Sequence, residues 1–173
     1  MLDALAIHEA AHAVINTVLG LSVEATFIDP TTLNGRTGYV LALSKVIEEL
    51  LQAPSLDEAM KSLAEKVGIA TAAGYVAEAR HRGVPRKDIC LTQHSAGYSD
   101  RELMKKLCAK LHRPEQPQFA KWEDEADKLI TRHAFEIETV GSELRKKLRL
   151  TGTELESLIT SPRECSSTLA GNA

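Results

Sequence analysis

His8, Glu9 and His12 form an HExxH motif near the start of this 173-residue chain. Because an α-helix turns once in about 3.6 residues, histidines four positions apart lie on one face and can reach a single metal ion. Glu9 lies beside His8, where its carboxylate can take a proton from a metal-bound water without being a ligand. The motif therefore predicts a zinc site with a general base beside it, the arrangement by which zinc peptidases hydrolyse peptide bonds.

The sequence around the motif supports this interpretation. HExxH fixes only three positions of five, so the pattern also arises by chance in unrelated helices. Here apolar residues surround the motif almost all round the helix predicted for residues 3–19, and Gly20 follows as a stop signal. Two histidines and a glutamate in a buried helix are costly unless a partner satisfies them, and a metal ion does so.

A catalytic zinc site also needs a third protein ligand and one open coordination position. The extended pattern HExxHxxGxxH, which supplies a third histidine, fails because position 18 is Val18. Asp100 lies in the first turn of a predicted helix, where its charge would also suit the helix dipole. Spacing alone does not choose among the candidates, which are Glu24, Glu48, Glu49, Glu78, His81, His94 and Asp100.

The elements that must position these residues are mostly helices. Residues 23–28 alternate as a strand and residues 38–43 as its returning partner, which predicts a small β-hairpin after the motif helix. Further helices are predicted over residues 44–52, 55–82, 99–111, 119–148 and 151–159. Two of them open on the spacing of a capping box, at Ser55 and Glu58 and at Ser99 and Glu102, and the segment 151–154 (TGTE) opens the last helix. The predicted fold class is therefore mainly α, with a small β-hairpin.

The predicted helix over residues 55–82 contains two glycines, Gly68 and Gly74, each of which lowers helix propensity by about 1 kcal/mol relative to alanine. We expect close packing against other helices to be the compensating gain. Residues 83–98 contain Gly83, Pro85 and Gly97 with little periodicity, which indicates a loop.

Composition narrows the class of protein. A net charge of -3 and a pI near 6.1 give no electrostatic reason to expect a nucleic-acid partner. The three cysteines, Cys90, Cys108 and Cys165, are widely spaced and lack a CxxC pair, as is typical of reduced thiols in a cytoplasmic protein. The chain has neither a basic signal-peptide start nor a run of about 18 apolar residues, so we expect no membrane span.

The length suits one domain, which we place at residues 1–160. The remaining residues, 161–173, are rich in serine and are predicted to form a disordered tail.

Beyond the motif, the chain resembles the peptidase domain of the FtsH family, membrane-anchored AAA+ zinc proteases. The resemblance covers about residues 1–160, and its segments follow the order they have in the family. They are residues 6–13 (AIHEAAHA), 23–30 (VEATFIDP), 35–39 (GRTGY), 73–79 (AGYVAEA), 95–100 (SAGYSD) and 151–155 (TGTEL). The chain departs from the family at Ala11, which replaces a glycine, and at Tyr75 and Ala79, which replace an arginine and a second glutamate.

The resemblance implies that His8, His12 and Asp100 hold Zn²⁺, because Asp100 stands in the place of the aspartate that is the family's third ligand. Glu9 would then be the general base acting on the zinc-bound water. The family's ATPase module and membrane anchor have no counterpart in the sequence, which also lacks a GxxxxGK[ST] phosphate loop.

We therefore expect an ATP-independent zinc metalloendopeptidase that cleaves peptides or unfolded proteins. The family forms oligomers through its ATPase as well as its protease. The resemblance is therefore compatible with a homo-oligomer, and the sequence does not give the oligomeric state. The alternative is a non-catalytic, zinc-stabilised or partner-binding domain that acts as an adaptor. The intact Glu9 argues against that alternative, since a purely structural zinc site has no use for a general base.

Overall fold

The computed structural model describes residues 1–89 and 96–160; the predicted disordered tail at 161–173 lies outside them. The described chain is mainly helical with one small antiparallel sheet, so the predicted mainly α class is confirmed. The elements in chain order are α1 (Leu2–Val18), β1 (Val23–Asp29), β2 (Asn34–Tyr39), α2 (Leu41–Gln52), α3 (Glu58–Arg82), α4 (Arg86–Ile89), α5 (Ala96–Leu111), α6 (Glu115–Arg132), α7 (Ala134–Lys147), β3 (Arg149–Thr151) and α8 (Gly152–Thr160).

The motif helix α1 is the centre of the core. It packs against α3, α7 and the sheet, and its residues from Ala4 to Asn16 are all buried. Helices approach closely where one of them carries a glycine, and a Cβ added to Gly68 of α3 would lie 2.4 Å from the Trp122 ring. The motif helix is therefore buried, as its apolar sequence predicts. None of the described helices has a stretch long and apolar enough to cross a membrane.

The sheet has three strands in the order β2-β1-β3, so the predicted hairpin gains a strand. The returning strand lies at Asn34–Tyr39, and its predicted position at residues 38–43 is wrong. The segment NGRTGY contains two glycines and few strand-forming residues, so its pairing with β1 outweighs a weak local preference. Residues from Leu41 onward instead form α2, which buries Ile47 and Leu50.

The predicted single helix over residues 119–148 is two helices, α6 and α7. His133 separates them, with backbone angles of φ -110° and ψ 25°. No proline or glycine marks this break, and the apolar stripe continues across it, so periodicity alone could not reveal it. Leu148, the residue after α7, has a left-handed conformation with φ 63°, which turns the chain into β3.

The remaining differences from the predicted secondary structure lie at the N-termini of helices. Asp57, not Ser55, caps α3, because its carboxylate accepts the backbone N–H of Met60 at 2.8 Å. The predicted loop over residues 83–98 contains the short α4, and α5 begins at Ala96. The predicted last helix is confirmed as α8, and Thr151 and Glu154 form a capping box at its start by exchanging backbone-to-side-chain hydrogen bonds.

Candidate metal centre

The structure brings together His8, His12 and Asp100. The Nε2 atoms of the two histidines are 3.1 Å apart, one helical turn from each other on α1. Asp100 enters from α5, and its Oδ2 lies 3.2 Å from His8 Nε2 and 3.3 Å from His12 Nε2. Tetrahedral zinc ligands at about 2.0–2.1 Å from the metal lie about 3.3 Å from one another. The three atoms thus have the spacing of ligands to one metal ion.

The polar atoms of this cluster are removed from water. His8 is fully buried, and Asp100 Oδ2 is a buried oxygen with no well-formed hydrogen bond within the described structure. A carboxylate oxygen left in that state is costly unless a cation neutralises it. Two imidazole nitrogens and one carboxylate oxygen form a donor set that suits zinc. The residues present therefore fit a metal ion, and the donor set alone does not fix which metal.

Burial and charge act in opposite directions on the ligands. Burial disfavours a charged imidazole, but the neighbouring carboxylates of Asp100 and Glu78 outweigh it and raise the pKa of His8 to about 10. Burial likewise opposes ionisation of Asp100, yet the two histidines hold its pKa well below the usual range. The cluster thus favours positive charge at its centre. A divalent cation satisfies the same preference and displaces the protons.

Groups behind the histidines fix their tautomers. His8 Nδ1 lies 3.0 Å from Glu78 Oε2, and His12 Nδ1 lies 2.8 Å from the carbonyl oxygen of Ala70. Both oxygens act as acceptors, so each Nδ1 carries a proton, and a metal ion that displaces the proton from Nε2 would be bound by the Nε2 lone pair. Arg82 donates to the other oxygen of Glu78 at 2.9 Å, which keeps that carboxylate charged and in place. Glu78, a candidate third ligand from sequence, therefore supports His8 from behind.

Glu9 lies against the sheet and is not among the three residues whose ligand atoms converge. It is 2 % exposed, and its Oε2 accepts a hydrogen bond of 2.9 Å from the Thr37 hydroxyl on β2. Thr26 Oγ1 lies 2.9 Å from the same hydroxyl, so a short chain of hydroxyls ends on the carboxylate. Burial raises the pKa of Glu9. The residue is thus an oriented carboxylate with an increased affinity for a proton.

Two glycines make room for the site. A Cβ added to Gly35 of β2 would lie 2.5 Å from Glu9 Cγ, so only glycine lets the strand come this close. On the other side, a Cβ added to Gly74 of α3 would lie 2.2 Å from His12 Nε2 and 2.7 Å from His8 Nε2. The sequence indicates close packing at Gly74 but does not by itself link Gly35 or Thr37 with Glu9. The signal that could have done so is the GRTGY segment.

We expect Gly74→Ala to lower metal affinity, because the new methyl group would occupy space beside both ligand nitrogens. Overpacking of this kind costs about 1–3 kcal/mol. Zinc content after dialysis and the thermal melting temperature measure the effect. Gly38→Ala is the matched control, since its new Cβ would come no closer than 3.8 Å to another atom. Full zinc content and an unchanged melting temperature in Gly74→Ala would contradict this account.

The other candidates lie elsewhere. Within residues 1–89 and 96–160, His8, His12 and Asp100 are the single group of three that brings ligand atoms together. The sequence candidates that stay outside the group are Glu24, Glu48, Glu49 and His81. His94 lies outside the described residues, as do Cys90 and Cys165, while Cys108 is a free, buried thiol.

Comparison with known proteins adds no information about this site. No protein-family model and no curated protein matches the chain. The chemistry therefore follows from the ligand spacing, the fixed tautomers and the buried Glu9.

Proposed function

We propose that this chain is a zinc metalloendopeptidase in which His8, His12 and Asp100 hold Zn²⁺ and Glu9 is the general base. The observation that carries the proposal is the convergence of His8 Nε2, His12 Nε2 and Asp100 Oδ2 within 4.8 Å of one another, with the buried Glu9 on the same helix. The order of motifs shared with the FtsH peptidase domain supports the same conclusion. Glu9 gives the site a use beyond structural support, because a structural zinc site needs no base.

The chain's own residues supply positioning and proton transfer. When bound, the metal provides a Lewis acid that polarises the scissile carbonyl and makes water more acidic. Glu9 accepts the proton of the attacking water and passes it to the leaving amine. Thr37 holds one oxygen of Glu9 through a hydrogen bond, and this fixes the orientation of the carboxylate. The raised pKa of the buried carboxylate suits a group that must hold a proton between two steps.

The sheet offers a place for the substrate backbone. β2 is an edge strand, and its inner face reaches Glu9 through Thr37. An extended peptide that pairs with this edge would gain main-chain hydrogen bonds irrespective of its sequence. Such pairing requires an extended chain, so we propose that peptides and unfolded segments are the substrates.

A metal titration combined with a fluorogenic-peptide assay tests the proposal. The apoprotein is expected to be inactive, and activity is expected to rise in step with zinc up to one ion per chain. A protein that binds one zinc per chain and hydrolyses neither peptide nor casein at any zinc level would instead be a zinc-stabilised binding domain.

Hydrolysis is expected to need no ATP and to favour unfolded substrates. The sequence contains no GxxxxGK[ST] phosphate loop, so cleavage of a folded protein must wait for spontaneous local unfolding. Rates on reduced, unfolded casein and on a stably folded protein, each with and without ATP, measure both points. Equal rates on the two substrates would contradict the substrate preference. A strong ATP requirement in a purified sample would indicate a copurifying ATPase.

A further inference from the structure

A row of three side chains crosses the outer face of the sheet. Phe27 of β1 pairs with Arg36 of β2 on one side and with Arg149 of β3 on the other. Residues directly opposite each other in a sheet project from the same face, so two guanidinium groups flank one aromatic ring. All three are exposed, and Phe27 keeps 38 % of its surface in contact with water. The row combines apolar area with concentrated positive charge.

The row lines a cavity of about 330 Å³ beside the edge strand, with Gly38 and Leu41 also in its wall. Glu24 lines it too, which leaves one net positive charge from the two arginines and one glutamate. Neither arginine forms an ion pair within the described structure, whereas Arg80, Arg82, Arg86, Arg113 and Arg145 all do. The two guanidinium groups are therefore available for an external anion.

The cavity lies where side chains of a paired peptide would project. Along β2 the side chains alternate between faces: Thr37 points inward to Glu9, while Arg36 points outward beside Phe27. A peptide strand added to the free edge of β2 alternates in the same way. Every second side chain would face the metal centre, and those between them would face the cavity.

We propose that this cavity binds an acidic side chain of the peptide substrate at an outward-facing position near the scissile bond. Arginine pairs with carboxylates through parallel hydrogen bonds, and the Phe27 ring offers an apolar surface for the methylene groups of glutamate. The proposal rests on the proposed peptidase function and adds a side-chain preference to it. Main-chain pairing alone would give no such preference.

The test uses the zinc-loaded protein and fluorogenic peptides in which glutamate is moved through the positions on both sides of the scissile bond. Each peptide has a matched glutamine version, which is nearly isosteric and uncharged. We expect kcat/KM to favour glutamate by about threefold or more at alternate positions only, with the ratio falling as salt is raised. Arg36→Gln with Arg149→Gln is expected to bring the ratio to about one. Arg132→Gln, an exposed arginine at the end of α6, is the matched control and should leave the ratio unchanged.

Binding to the zinc-loaded Glu9→Gln protein separates this proposal from the peptidase proposal. Fluorescence anisotropy of the same labelled peptides should show the same preference, and the preference should depend on the two arginines. If the native protein hydrolyses no peptide but this binding preference is present, the peptidase function is wrong and the carboxylate site stands. If peptides are hydrolysed with equal kcat/KM for glutamate and glutamine, or if the preference survives removal of both arginines, the carboxylate site is overturned. Absence of both hydrolysis and preferential binding would overturn both proposals.

Discussion

Replacement of Glu9 with glutamine is expected to lower peptide hydrolysis by at least about 100-fold while zinc content stays at one ion per chain. The amide has the shape of the carboxylate, so it fits the buried space beside Gly35 and keeps a hydrogen bond with Thr37. It cannot accept a proton from water, and the reaction then lacks its base. Turnover of a fluorogenic peptide and metal analysis of the same preparation measure the two effects.

Thr37→Val is a useful companion to Glu9→Gln. It removes the hydroxyl that holds Glu9 Oε2 but leaves the carboxylate able to take a proton. We expect a partial loss of kcat with zinc content unchanged, well short of the loss in Glu9→Gln. If a pure Glu9→Gln preparation keeps its turnover, Glu9 is not the base.

Replacement of Asp100 with alanine is expected to weaken zinc binding by more than about 100-fold. Loss of a hydrogen-bonded group behind a ligand already costs about 10–100-fold in metal affinity, and loss of an anionic ligand should cost more. The variant would leave two imidazole nitrogens 3.1 Å apart and remove the carboxylate that lies 3.2 Å from His8 Nε2. Competition with a zinc-selective chelator measures the affinity directly.

Glu78→Ala is the comparison that makes the Asp100 result specific. Glu78 holds His8 Nδ1 at 3.0 Å, so its loss is expected to cost about 10–100-fold in zinc affinity, less than the loss of Asp100. His94→Ala completes the set, since His94 precedes α5 and is expected to matter least. If Asp100→Ala keeps full zinc occupancy while Glu78→Ala or His94→Ala loses it, the third ligand has been assigned wrongly.

The sequence predicted the parts of the site that lie close together along the chain. The positions of His8, Glu9 and His12 on one buried helix follow from helical periodicity and from apolar neighbours. Asp100 could not be chosen by spacing, because α5 reaches the motif only after it packs against α3, through contacts of long sequence separation. Only the resemblance singled it out among seven candidates, and the structure then places it against both histidines.

The secondary structure shows the same contrast between features set by neighbouring residues and features set by distant segments of the chain. Long helices with strong periodicity and the cap at Thr151 were predictable from local sequence. The position of β2, the third strand and the break at His133 were not, because each depends on pairing or packing with a distant segment. The same is true of Glu78: its spacing marks it as a possible ligand, and only its position behind His8 shows a supporting role.

The junction of α1 and α5 has a consequence for how the fold responds to metal supply. His12 and Asp100 are about 90 residues apart in sequence, yet their side chains meet at one point. An ion bound there would close a loop of that length, as a covalent cross-link does. If it stayed bound after unfolding, it would lower the conformational entropy of the unfolded chain. Since the unfolded chain does not hold these side chains together, the ion binds the native state and adds its binding energy to the free energy of unfolding. The melting temperature then becomes a measure of free metal, and a protein starved of the ion would loosen first where α5 meets α1.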